Sequence, residues 1–313
     1  RTPISSASTG GLVGRMLGGY EVSGNPIPII MFFMGDTQIL TGQDEWGNNQ
    51  YDFNTQGMHD AFAAMKITSG YATISNSHAS GNVYSSNSAG GLVGNVAGIT
   101  KIQKSFATGD VYGTAAGGLI GSGFNMGSLL GALNLFSSIE LDNTYARGDV
   151  YALDDPNTVT FAGGLVGMMA HFGEFKIDHS YATGKVAVKN NATNTRLVAG
   201  GLVGAELDLG IVPTGLLLAF ATDQDVLPNV LSAMDALGLE IKQGVTVSNS
   251  FTTSSVPAKS SGKDDLIKEI ALGNPGNYKT TGSLFGFVFS LDYANFPEFP
   301  YPAEGESLDG AAL

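Results

Sequence analysis

The sequence predicts an all-β fold: a β-solenoid (parallel β-helix) of about 28-residue coils with apolar, partly helical insertions on one side. Three observations predict it: a recurring glycine-leucine block, a recurring aromatic block before it, and no helical periodicity inside either. Gly-Gly-Leu-Val-Gly occurs at Gly10 to Gly14, Gly90 to Gly94, Gly163 to Gly167 and Gly200 to Gly204, with variants at Gly117 to Gly121 and Gly282 to Gly286. The aromatic block reads NSHASGNV, KSFATGDV, NTYARGDV, HSYATGKV and NSFTTSSV, ending at Val83, Val111, Val150, Val186 and Val256. Its aromatic slot holds His78, Phe106, Tyr145, Tyr181 and Phe251.

The tightest spacing, His78 to Phe106, is 28 residues, and the others lengthen by insertion. Each unit offers short stretches rich in Val, Tyr, Phe and Thr, punctuated by Gly and Asn, which read as strands and turns. One coil cannot bury its own apolar residues. Stacked coils align Leu92, Leu119, Leu165 and Leu202 in one interior row, with the flanking glycines expected to permit tight corners. A propeller blade of about 40 residues needs more chain than this unit supplies.

Insertions are expected at about 15–74, 122–138, 205–244 and 257–279, within a single domain spanning 1–295. Three of them carry apolar runs, IPIIMFFM from Ile27, SLLGALNLF from Ser128 and GLLLAFA from Gly215. Exposed singly these would aggregate, so they are expected to pack on one another beside the coils, with short helices such as Met58 to Met65 and Pro228 to Leu237. Lys263 to Leu272, with acids in its first turn and Gly273 and Pro275 behind it, predicts a further helix. Residues 296–313 read as an extended tail, because Pro297, Pro300 and Pro302 exclude regular pairing.

Composition narrows the function. A net charge of -13 with no Lys/Arg cluster argues against nucleic acid and anionic membranes as partners. The absence of cysteine removes disulfides, thiolate catalysis and Cys-based zinc sites, and no apolar run reaches the roughly 20 residues of a membrane helix. The start at Arg1 rather than Met is consistent with a removed leader and leads to an expectation of export.

Gly-Gly-Leu-(Val/Ile)-Gly preceded by Ser-(Tyr/Phe)-Ala-Thr-Gly-(Asp/Lys)-Val resembles the GLUG motif of bacterial exported surface proteins, including adhesins and the non-catalytic region of IgA-cleaving metallopeptidases. The resemblance covers about a third of the chain. It implies an extracellular or cell-surface β-solenoid and supplies no active-site residues; the metallopeptidase signature H-E-x-x-H is absent.

No catalytic set emerges. His78 reads as a packing substitute in the aromatic slot, and His171 and His179 lack a third ligand within sequence reach, so no metal site is assigned. The slot holding Asn82, Asp110, Asp149 and Lys185 reads as a solvated edge rather than a carboxylate pair for hydrolysis. Asp36, Asp44, Glu45, Asn48, Asn49 and Asp52 offer oxygens suited to Ca²⁺, but without EF-hand spacing, so they read as a solvated loop and no cofactor is required. In that stretch Trp46 and Tyr51, with Asp44 and Asp52, compose a sugar-binding surface or, alternatively, an anchor for the insertion.

The expected function is a non-enzymatic extracellular structural protein, a filament or surface-layer subunit whose partners are copies of itself. The alternative is an adhesin module binding cell-surface glycan or matrix, and a third reading, ranked below both, is a polysaccharide-active enzyme. Assembly contacts are expected at Phe32, Phe33, Leu129, Leu130, Leu216 and Leu217, and in the tail at Phe296, Phe299 and Tyr301.

Overall fold

The computed structural model describes residues 8–22, 24–25, 27–28, 31, 38–65, 67–124, 138–153, 159–171, 173–189, 196–208, 244–256 and 279–290. One repeat contributes five short strands, seen most compactly in Ser88–Gly90, Val93–Ala97, Thr100–Gln103, Phe106–Ala107 and Val111–Gly113. Each pairs in parallel with its equivalent in the next repeat, at Ala89↔Ala116, Val93↔Ile120, Ile102↔Leu141, Phe106↔Tyr145 and Val111↔Val150. The result is five parallel sheets of six, six, five, five and four strands, in which sequence repeats become spatial neighbours. The fold is all-β and parallel, as expected.

Burial follows the rows. Leu92, Leu119, Leu165 and Leu202 are fully buried, alongside Val93, Ile120, Val166 and Val203 from the same block. Ile102, Leu141 and Ile177 from the third sheet, with Ala107, Ala146 and Ala182 from the fourth, complete this main core. A second core joins Val83, Val111, Val150 and Val186 to Ala89, Ala116, Ala162 and Ala199.

The glycines act differently from expectation. None of the Gly-Gly-Leu-Val-Gly glycines has positive φ, so they are not needed for corner dihedrals. They are needed for close approach: a Cβ on Gly91, Gly118 or Gly164 would overlap the carbonyl oxygen of the equivalent glycine one repeat later. The left-handed turn lies elsewhere, one residue before the buried hydroxyl of the aromatic block. Asn76, Lys104, Asn143, His179 and Asn249 occupy it with φ between 46° and 53°. Asparagine tolerates that region best among non-glycine residues, which accounts for three of the five.

Next to this turn runs a line of hydroxyls. Thr144 N donates to Ser180 Oγ at 3.1 Å, Ser180 N donates to Ser250 Oγ at 3.0 Å, and Ser77 N donates to Ser105 Oγ at 3.1 Å. These side chains satisfy backbone groups that the short strands leave unpaired.

The first insertion is described in part. It contains two antiparallel pairs, Gly19–Val22 with Ile67–Gly70 and Gln38–Gln43 with Asn49–Phe53, and a helix, Thr55–Met65, that includes the predicted Met58 to Met65. Asn54 caps the helix by accepting from Gly57 N at 2.8 Å. Ile27 and Met31 of the apolar run are 59% and 55% exposed, and the runs they were expected to pack against lie outside the described residues. The helices expected at Pro228 to Leu237 and Lys263 to Leu272 lie outside the described residues, as do most of the other insertions and the 296–313 tail.

Candidate functional site

The outer surface is organised by three side-chain rows. His78, Phe106, Tyr145, Tyr181 and Phe251 stack face to face with ring centroids 4.6–5.1 Å apart and interplanar angles of 10° or less. Parallel in-register pairing puts equivalent residues about one strand spacing apart, which is also a stacking distance for rings. Arg147 lies 4.8 Å from the Tyr145 ring centroid and donates to Tyr181 Oη at 3.0 Å. Tyr84, Tyr112 and Tyr151 form a second ladder at 4.4 and 4.9 Å. Inner rings of both ladders spend their faces on each other.

Between them, the Asn82, Asp110, Asp149 and Lys185 slot is exposed or half-buried, as the solvated-edge reading expects, and it also carries hydrogen bonds between repeats. Asn82 Oδ1 accepts from Asp110 N at 2.9 Å, Asp110 Oδ1 from Asp149 N at 2.9 Å, and Asp149 Oδ1 from Lys185 N at 2.8 Å. The Asn82, Asp110 and Asp149 side chains thus each tie their own repeat to the next. Asp149 Oδ2 also accepts from Tyr151 Oη at 2.9 Å, and this bond, with burial second, pushes the Tyr151 phenol up to about 12.

Trp46 sits at the tip of the Gln38–Gln43/Asn49–Phe53 hairpin and is 81% exposed, so its ring does not anchor the insertion. Asp44 is committed to that turn. Its carboxylate accepts from Asn48 N at 2.7 Å, Trp46 N at 2.9 Å and Asn48 Nδ2 at 2.9 Å, which holds its pKa below the ordinary value. Tyr51 and Asp52 lie on the returning strand, paired through their backbones with Leu40 and Ile39. Phe32, Phe33, Leu129, Leu130, Leu216, Leu217, Phe296, Phe299 and Tyr301 all lie outside the described residues.

Two groupings were missed from sequence. Asp142, Asp178 and His179 bring one ligand atom each within 4.8 Å of one another, at the end of the third sheet. Asp178 already accepts from Ser248 Oγ at 2.8 Å, Asn249 Nδ2 at 3.0 Å and His179 N at 3.0 Å, and His179 Nδ1 stands 3.0 Å from its other oxygen. The Ser248 bond first, then Asn249, pull its carboxyl down to about 2. Glycoside hydrolysis needs one carboxyl held protonated near neutral pH, and Asp178 is shifted the opposite way.

A folded value below the ordinary 3.8 means that Asp178 contributes its full stabilisation above that pH and loses it as pH falls through about 2. A ¹³C NMR titration should place its carboxyl midpoint near 2, and Ser248→Ala should move it upward. A native midpoint at 3.8 would contradict this hydrogen-bonding account.

The second grouping is interior. His171 and Glu206 are 0% and 1% exposed, with Nε2 2.8 Å from Oε1. His171 Nδ1 is 2.7 Å from the Gly173 carbonyl oxygen, which can only accept, so Nδ1 carries a proton. A second proton must therefore lie between Nε2 and the carboxylate. Glu206 occupies the interior row of Val96, Gly123 and Met169, where the motif predicts an apolar residue. No recurring pattern marks it, because its partner is 35 residues away and neither position repeats.

The ends of the stack are the remaining distinctive surface. Leu12 and Leu284, the first and last members of the leucine row, are 44% and 40% exposed while the four between are buried completely. Tyr84 and Phe251, terminal rings of the two ladders, are also exposed. No protein-family model, no curated protein and no solved structure matches the chain.

Proposed function

We propose that the parallel stack is a β-solenoid of GLUG type and that the protein is a non-enzymatic structural subunit, assembling end to end into an extracellular filament or surface layer. The observation that carries this reading is the leucine row left open at both ends. A second copy placed head to tail would continue that row, removing apolar surface from water at each junction. The edge strands support it: Thr9–Gly10 and Val13–Leu17 end two sheets at one pole, and Lys279–Gly282 and Phe285–Ser290 end the same two sheets at the other. Such edges are templates for pairing, and a heterologous contact between unlike ends propagates without closing.

The test is light scattering and negative-stain electron microscopy across protein concentration, with calcium added or chelated. The wild-type chain is expected to form regular fibres or sheets. Leu284→Asp is expected to give monomers with an unchanged circular-dichroism spectrum, because the side chain is already partly in water. Wild-type monomers at every concentration would overturn the reading. They would favour the adhesin alternative, for which the exposed Trp46 at a hairpin tip is the supporting observation.

A further inference from the structure

A cleft of about 570 Å³ opens between the outward faces of the first and second sheets, a volume within the range of small-ligand sites. Two facing rows build it, and both change character along the stack. On the second sheet the row runs Arg15, Asn95, Ser122, Met168, Ala205, Phe287. On the first sheet it runs Ser88, Ala115, Phe161, Val198. The far end is closed and apolar, with Val198 and Ala205 fully buried and Phe287 6% exposed. The near end is open and polar, and the cleft spans the transition from Arg15 to Phe161 and Met168.

The polar end is organised. Ser88 and Ser122, both buried, share a 2.7 Å hydroxyl hydrogen bond, and Asn95 Nδ2 donates to Ser122 Oγ at 2.9 Å. This network orients the Asn95 amide and leaves its oxygen to accept. Among the described residues Arg15 has no ion-pair partner and no carboxylate lines the cleft, although the chain carries 28 acids against 15 Lys and Arg. A guanidinium beside a recess whose described lining holds no carboxylate favours an anion, and its planar fork suits a carboxylate.

We infer that this cleft binds an acidic sugar, a uronate unit of an extracellular polysaccharide. Arg15 takes the carboxylate, the Asn95 and Asn87 amides take ring hydroxyls, and Phe161 and Met168 receive the apolar face of the pyranose. The amide-lined wall distinguishes this ligand from an acyl-chain carboxylate, which would leave those groups unpaired. The cleft reaches Gly14 and Arg15 on Val13–Leu17, an edge strand that end-to-end assembly would pair, so its ligand is to be tested on assembled and unassembled chains alike.

The probe is trigalacturonate, titrated calorimetrically against the full chain, with a neutral galactose trisaccharide and decanoate as comparisons. Saturable binding of trigalacturonate alone is expected, weakened about tenfold or more by Arg15→Ala and by Asn95→Leu. Arg15 is exposed, so its variant should keep the wild-type melting temperature; Arg15→Lys should recover part of the affinity. No binding of trigalacturonate, equal binding of the neutral sugar, preference for decanoate, or affinity untouched in Arg15→Ala would each overturn the assignment. Repeating the titration on Leu284→Asp separates this result from assembly.

Discussion

Replacing Gly118 by alanine is expected to destabilise the protein by about 3 kcal/mol or more, or to leave no soluble folded chain. The added Cβ would overlap the Gly164 carbonyl oxygen and stand 2.5 Å from Ala146 Cβ, inside the 3.0 Å that such atoms keep. Neither neighbour can rotate away, because one is backbone and the other a methyl already in the core. Relief requires the two repeats to separate. That would stretch the bonds that join them here, Leu119 N to Leu165 O at 2.8 Å and Ile120 N to Leu165 O at 3.0 Å. Gly81 supplies the control. Its equivalents Gly109, Gly148 and Gly184 meet the preceding repeat's backbone, but Gly81 belongs to the first repeat and has nothing within 4 Å. Gly81→Ala should be nearly neutral, and urea denaturation followed by circular dichroism compares the pair. Equal stability of Gly118→Ala and wild type would show that the repeats are held less tightly than these distances require.

Leu165→Ala is expected to cost about 3–5 kcal/mol, the range for a leucine whose removal leaves a cavity that cannot collapse. Leu165 is fully buried between Leu119 and Leu202 in the row, and flanking backbones are held in register on both sides. The cavity should therefore persist. Leu12→Ala, in the same slot of the motif, should cost about 1 kcal/mol or less, because 44% of that side chain is already in contact with solvent. The contrast isolates position in the stack from residue type. A similar loss at both positions would mean that the terminal leucine is covered in solution.

Legibility varied with whether a position recurs. The leucine row and the aromatic ladder could be read directly, because parallel pairing turns every recurring position into a line of contacts. His78 fell into the ladder for that reason, stacked 5.0 Å from Phe106 despite its different chemistry. The aspartate slot recurs too, yet its role did not follow from recurrence. Exposed carboxylates and carboxylates bonded to the next backbone N–H look alike in one dimension. The glycines were assigned to the right places for the wrong reason, since a demand for left-handed dihedrals and a demand for close approach leave the same residue in the sequence.

What the sequence by itself determined is the parallel, in-register order of the repeats, because a single unit has no way to bury Leu92 or Val111 except against its own copies. What only the tertiary structure decided is how sheets face one another across a repeat. The His171–Glu206 pair, the Asp142–Asp178–His179 grouping and the graded cleft from Arg15 to Phe161 and Met168 each involve positions that differ from one repeat to the next. Their partners are set by the stack's geometry, which brings together residues 27 to 70 positions apart, and no local pattern records that distance.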